Sequence, residues 1–223
     1  MTIKDQFTVK PIKRFETHDW FNNKHYAKRI PSISYCYGLY DINKVLQGVI
    51  SFGSPPSNSL VIGAFNGKYT DIFLELNRLC INDNLEKNVL SFFVSQALKL
   101  IEKPKVVVSY ADTSQGHNGY IYQATNWIYT GLTEKRTEWR MYNSNKHSKT
   151  ICEQYTLDER KNDTKKFYTT DRPRKHRYFY LSGTRKQRQE MKDSLTYAVR
   201  PYPKGDNKRY DASYAPSIQG LLF

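Results

Sequence analysis

The stretch TDIFLELNRLCINDNLEKNVLSFFVSQALKLIEKPKVVVSYAD, residues 70–112, decides the fold. Thr70 to Ile81 reads as a strand carrying Leu74, Leu76 and Leu79, with Arg78 among its apolar residues. Asn82, Asp83 or Asn84 can then cap a helix in which Leu85, Val89, Phe92, Phe93, Ala97, Leu100 and Ile101 recur at helical spacing, until Lys103-Pro104 stops it. Lys105 to Tyr110 is a short β-branched run bounded by Pro and Asp, which suits a strand at the centre of a sheet.

Upstream, Tyr35–Tyr40 and Val45–Phe52 flank Asp41-Ile42-Asn43-Lys44, a hairpin by composition and spacing, and Pro55-Pro56 ends it. Residues 6–30 are polar and irregular, with a short helix predicted around His18 to Phe21 and the cluster Lys24-His25-Tyr26-Ala27-Lys28-Arg29 before Pro31. Downstream, Asp112 to Gly119 is a polar loop leading into a short helix at Tyr120 to Thr125. Trp127 to Thr130 and Trp139 to Tyr142 are expected to pair as the last strands. The element order predicts an α/β fold, a mixed sheet with helices on its faces.

The 223 residues suffice for one full-sized domain plus an appendage. The expected division is a core over residues 1–142 and a basic, aromatic-rich extension over 143–223 that packs on it. Thr184 to Ser194 in that extension reads as a basic helix, and Asp206 to Phe223 as loose chain. The formal charge of +14 draws polyanions. Sixteen Lys/Arg against five Asp/Glu fall between Arg160 and Arg209, so the excess is local. Phe167, Tyr168, Tyr178, Phe179, Tyr180, Tyr197 and Tyr202 interleave with it, the mixture that joins phosphate contacts to base stacking. Lys28, Arg29, Arg172, Arg174, Lys175, Arg177, Arg185, Lys186 and Arg188 are the candidate nucleic-acid contacts. No apolar run is long enough for a membrane span. The polar N-terminus carries no secretion signal, and Cys36, Cys80 and Cys152 lack metal-site spacing, which fits a cytoplasmic protein with structural cysteines. The oligomeric state is open, a homodimer included.

The segment Tyr122-Gln123-Ala124-Thr125-Asn126-Trp127 resembles the C-terminal half of acetyltransferases of the GNAT type. More specifically, Glu75-Leu76-Asn77-Arg78-Leu79, Ser109-Tyr110-Ala111-Asp112, Gly116-His117-Asn118-Gly119 and Ile121-Tyr122-Gln123-Ala124, in this order, resemble the Mom family of phage DNA-modification proteins over roughly residues 20–142. The resemblance implies a GNAT-like core and transfer of a methylcarbamoyl group to the exocyclic N6 amine of adenine in DNA, which shields phage DNA from host restriction in the bacterial cytoplasm. It carries over His25, Tyr26, Arg78, Ser91, Asp112 and Tyr122. Iron, with Tyr26 and Asp112 as ligands, is implied in the same way, as is acetyl-CoA from the GNAT likeness; read as donors, this hard pair with nitrogen from His25 or His117 suits non-haem iron better than zinc. The GNAT pyrophosphate loop contains glycines, whereas Arg78-Leu79-Cys80-Ile81-Asn82-Asp83-Asn84 has none, which counts against acetyl-CoA. Arg78, Ser91, Asn84 and Leu85 are the candidate cofactor contacts, the amides from Asn84 to Lys87 offering a helix N-terminus to a phosphate.

Read as chemistry, adenine's amine is a weak nucleophile whose proton must be taken, so acid and base groups are required. Asp112 ends a buried strand where open sheets place ligands, and equally well caps the segment that follows. Tyr122 either serves a leaving thiolate or packs as a half-buried aromatic. Arg78 in an apolar strand needs a carboxylate, Glu75 or Asp112, or a ligand anion. Ser91 by itself is a helix-face residue. Tyr120, Trp127 and the C-terminal arm are expected to hold an opened duplex. Two other readings stay open: an ordinary acetyl-CoA-dependent N-acetyltransferase acting on a nucleobase, RNA or protein amine, and a non-catalytic nucleic-acid-binding protein.

Overall fold

The computed structural model describes residues 2–205 apart from 56, 145 and 147; the expected loose stretch 206–223 lies outside them. Its strands are β1 (Phe7–Pro11), β2 (Tyr35–Asp41), β3 (Leu46–Gly53), β4 (Phe73–Ile81), β5 (Lys105–Asp112), β6 (Ile128–Leu132), β7 (Arg136–Met141), β8 (Phe167–Arg172) and β9 (Lys175–Ser182). The helices are α1 (Ile3–Gln6), α2 (Asn58–Gly63), α3 (Val89–Leu100), α4 (Tyr120–Ala124), α5 (Ser148–Gln154), α6 (Leu157–Asn162) and α7 (Arg185–Asp193).

Seven strands form one sheet in the order β1-β2-β3-β4-β5-β9-β6. Only β4 and β5 run parallel within it, joined by α3, and the other neighbours are antiparallel. The expected mixed α/β sheet is therefore present, with the predicted hairpin as β2 and β3. Several expectations need correction. Polar residues 6–30 contain an edge strand, β1, and a five-residue π-helix at Trp20–Lys24. The two final strands do not pair with each other: β6 pairs with β9, and β7 pairs with β8 in a separate two-stranded sheet. Lys175–Ser182, from the basic C-terminal part, is an interior strand between β5 and β6. The predicted basic helix is α7, capped by the Thr184 side chain on the Gln187 amide.

α3 begins at Val89, later than its asparagines suggest. Asn84 and Asn88 adopt left-handed backbone, with φ of 63° and 72°. The chain thus turns through residues 82–88 instead of winding into a helix. One face of the sheet packs Leu39, Ile50, Leu74, Leu76 and Val107 against Val89, Phe93 and Ala97 of α3, with Tyr122 and Trp127 in the same cluster. The opposite face carries two separate clusters. Phe65, Phe73, Val106, Val108, Phe179 and Met191 form one, and Trp20, Phe21, Ile33, Cys36, Val49 and Cys80 form the other.

Two irregularities lie between those clusters. β4 and β5 pair only at Phe73–Val106, Leu74–Val107 and Glu75–Val108, although both strands run on. Past Glu75 they part. The β3–β4 register also slips, Phe52 facing Leu76 and Ser51 facing Arg78, which leaves Asn77 as an extra residue. Because side chains alternate sides along a strand, this bulge moves Arg78 from the Leu74/Leu76 side to the side of Glu75. Asn77 is fixed there, accepting from the Ser51 hydroxyl at 2.6 Å and donating to the Ser32 carbonyl at 2.7 Å.

Candidate functional site

The parting of two parallel strands at their carboxyl ends opens a cleft in the place where open sheets receive ligands. β5 contributes Tyr110 and Asp112 on one face, and Ser109 on the other. β4 contributes Glu75 and Arg78. The backbone that the missing ladder leaves unpaired is partly met by side chains. The Ser109 hydroxyl donates to the Leu76 carbonyl at 2.8 Å and lies 2.7 Å from the Tyr122 hydroxyl. A carbonyl can only accept, and Ser109 has one hydrogen, so Tyr122 donates to Ser109 in a two-bond relay to β4. Tyr122 is buried, 5.0 Å in ring-centroid distance from each of Trp127 and Tyr178, and its phenol is driven upward from the usual tyrosine range by that burial.

Asp112 takes the capping role and pairs with a lysine. Its Oδ1 accepts from the amide and hydroxyl of Ser114, capping the 3₁₀ turn Thr113–Gln115, and its Oδ2 sits 2.8 Å from the Lys175 ammonium. Lys175 stands directly opposite Asp112 in the β5–β9 register. Burial alone would raise the carboxyl, but the bonds from Lys175 and Ser114 outweigh it and hold Asp112 below the usual carboxylate range.

The predicted pairing of Arg78 with Glu75 or Asp112 does not form. The guanidinium instead donates through Nε to the Arg29 carbonyl at 3.3 Å and through Nη1 to the Asn77 carbonyl at 2.7 Å. Its remaining N–H groups carry no carboxylate partner among the described residues. Glu75 has neither a hydrogen bond nor an ion pair among them, and burial pushes its carboxyl up to about 7 against the opposing pull of Arg78 and Lys175. Glu75 appears in the sequence only as a partner for Arg78; its isolation depends on β5 leaving β4, which no local pattern records.

His25 and Tyr26 follow the π-helix, their rings stacked at 4.4 Å, and Tyr26 meets the edge of His117 at 6.0 Å. His25 Nδ1 accepts from the Ala27 amide at 3.0 Å. Burial, with Arg78, His117 and Lys175 adding to it, depresses His25 to about 3, and burial raises Tyr26 to about 12. His25 is therefore neutral in the fold and takes a proton readily only when unfolded. As pH falls from the ordinary histidine value of about 6.5 toward 3, the unfolded chain binds that proton first, costing up to about 1.4 kcal/mol per pH unit. His25→Gln is expected to flatten the acid limb of a plot of thermal midpoint against pH. Equal slopes for variant and parent would remove this role.

The structure lends the expected iron site no support. Among the described residues no group of three His, Cys, Asp or Glu converges as a metal site. Both Asp112 oxygens and His25 Nδ1 already have protein partners.

Other candidates lie elsewhere. Ser91, in the first turn of α3, donates to the Asn88 carbonyl at 2.9 Å. Asn84 and Leu85 fall in the turn ahead of α3, so their amides do not belong to a helix N-terminus, and the Leu85 side chain packs on the core. Trp127 is a core residue rather than a duplex clamp, whereas Tyr120 is exposed. Lys28, Arg29, Arg172, Arg185, Lys186 and Arg188 are exposed. Arg174 donates to the Thr133 carbonyl at 2.6 Å, and Arg177 lies 3.4 Å over the Tyr197 ring and donates to Thr130 at 2.9 Å. Lys175 and Arg177 are half-buried, the first paired with Asp112. The exposed Arg185 and Arg188, with Lys99 and Lys192, line a cavity of about 560 Å³ at the β9 edge that has no carboxylate in its lining.

A family model described as the Mom protein family matches residues 6–204. The methylcarbamoylase Mom of Escherichia phage Mu is 31% identical over 137 residues, covering 58% of this chain and 55% of that protein, so the match spans little more than half of the relative's length. Among solved structures, spermidine/spermine N-acetyltransferase SpeG from Vibrio cholerae matches with a TM-score of 0.44 and 8% identity, over 81% of this chain and 95% of that one. A GNAT-family acetyltransferase from Bacillus cereus matches with a TM-score of 0.41 and 11% identity, over 80% and 99%. Likeness at this level carries over neither donor nor substrate.

Proposed function

The chain belongs to the Mom protein family, and from that premise we propose that it is a DNA-modifying transferase that places a methylcarbamoyl group on the N6 amine of adenine, shielding phage DNA from restriction. The family match over residues 6–204 is the observation that carries this reading. The relative from phage Mu, a methylcarbamoylase by name, supports the group transferred.

The cleft where β4 and β5 part supports the reading chemically. It presents an arginine with spare donors, a carboxyl near neutrality and a buried phenol at the carboxyl ends of two parallel strands. Arg78 is suited to an anionic part of the donor, by charge and by its planar fork of N–H groups. The relay from Tyr122 through Ser109 to Leu76 holds the cleft wall in one geometry. Acetyl-CoA enters as one candidate donor, and no step here depends on it. The carboxylate-free cationic cavity beside α7 supports contact with the phosphate backbone, whose charge dominates nucleic-acid affinity.

The test is expression in a bacterium, digestion of cellular DNA to nucleosides and mass spectrometry. The expected result is a new adenine nucleoside heavier by a methylcarbamoyl group. Unmodified DNA from cells that accumulate folded protein would overturn the reading.

A further inference from the structure

Transfer to an amine needs a proton acceptor, and most acid–base groups of the cleft are committed or far from neutral pH. Asp112 is bound to Ser114 and Lys175 and held ionised. Burial keeps the imidazoles of His25 and His117 neutral and weakly basic, and keeps the phenols of Tyr26, Tyr110 and Tyr122 protonated. Arg78 and Lys175 are cations.

Glu75 differs from all of these. It is the last β4 residue to pair with β5, opposite Val108, and it pairs with Gly53 on its other side, so its backbone is fixed where the strands part. Its side chain shares a face with Arg78, Tyr110 and Asp112 and is only partly exposed. No described residue hydrogen-bonds or ion-pairs with its carboxyl. A structural carboxylate in so desolvated a place would ordinarily be paired, since an unpaired buried charge costs several kcal/mol. With Arg78 and Lys175 near enough to act on it and its carboxyl at about 7, Glu75 is ionised in part and basic at neutral pH, as general-base catalysis requires.

We propose that Glu75, at the apex of the β4/β5 cleft, is the proton acceptor for the nucleobase amine. The inference rests on the reading of the chain as an adenine-modifying transferase. In the step, a bond forms between adenine N6 and the methylene carbon of an alkylating donor, a carbamoylmethyl group (–CH2–CO–NH2) bearing an anionic leaving group on that carbon. The bond from that carbon to its leaving group breaks, and the electron pair departs with the leaving group as an anion. The N6 proton passes to the Glu75 carboxylate, which becomes a neutral acid, and the unpaired N–H groups of Arg78 are placed to meet the departing anion. Charge balances, and no oxidant or reductant is consumed.

The test compares wild type, Glu75→Gln and Glu75→Asp by nucleoside mass spectrometry of DNA from expressing cells, with thermal unfolding and duplex-DNA binding of each purified protein. Glu75→Gln keeps size and polarity but cannot take the proton. It is expected to melt and bind DNA as wild type does while its modified adenine falls at least about 100-fold. Glu75→Asp, which retains the base on a shorter arm, is expected to recover part of that loss. Wild-type modification by Glu75→Gln would overturn the proposal and leave the proposed function standing. Equal losses in both variants with lowered melting temperatures would make Glu75 a structural residue. An inactive wild type would remove the transferase reading, and this step with it.

Discussion

Asp112→Ala is expected to abolish DNA modification, with no modified adenine above background in cells that hold wild-type amounts of the protein. The carboxylate fastens two things at once: the turn Thr113–Gln115 through Ser114, and the Lys175 ammonium across the β5–β9 ladder. Its removal frees the polar loop that carries His117 and leaves Lys175 as an unpaired, half-buried cation close enough to pull Glu75 down. Because the lysine is about a third exposed, solvent recovers part of the lost pairing, and the stability cost is on the order of 1–3 kcal/mol. The sign with pH is fixed. Asp112 titrates below its unfolded value, so the pair stabilises fully above about pH 4 and fades as the pH drops through the folded value. Urea unfolding of wild type and variant from pH 7 downward is expected to show a gap that is full at pH 7 and narrows as the pH falls below about 4. Undiminished modification by the variant would leave Asp112 as a helix cap alone.

Phe179→Ala is expected to cost about 3–5 kcal/mol, enough to unfold much of the protein at 37 °C. Phe179 is fully buried on β9, its ring edge-on to Phe65 and Phe73 at 6.0 and 6.2 Å and stacked on Tyr197 at 6.0 Å. A cavity there loosens the strand that also presents Lys175 to Asp112. The check is the urea midpoint of the purified variant. A change below about 1 kcal/mol would mean that β9 adds little to the core.

How much of this was legible follows from the range of each signal. Residues 70–112 announce strand, helix and buried strand because the apolar period changes within one stretch, and β5 and the body of α3 stand where that pattern puts them. The start of α3 was misplaced because Asn82, Asp83 and Asn84 suit a cap and a turn alike, and the left-handed Asn84 and Asn88 belong to a turn. β9 was hidden by its own composition. Lys175, Arg177, Phe179 and Leu181 alternate with His176, Tyr178 and Tyr180, a strand period, yet charge and aromatics together read as a nucleic-acid arm. Asp112, Arg78 and Tyr122 enter as candidates through resemblance. The isolation of Glu75 leaves no mark in the sequence because it depends on a neighbouring strand departing, and the Lys175–Asp112 pair leaves none because it spans 63 positions.

The place of β9 also sets the order in which the molecule can be made. Lys105 pairs with Ser182 and Asp112 with Lys175, so a chain emerging from the ribosome carries β5 with one open edge until the β9 segment has been translated. Contacts of such sequence separation slow folding, and an unpaired strand edge is the usual site of misassembly. The ion pair at the cleft is among the last bonds that synthesis permits, and an abortive product lacking β9 also lacks the basic helix α7 beyond it and a completed cleft.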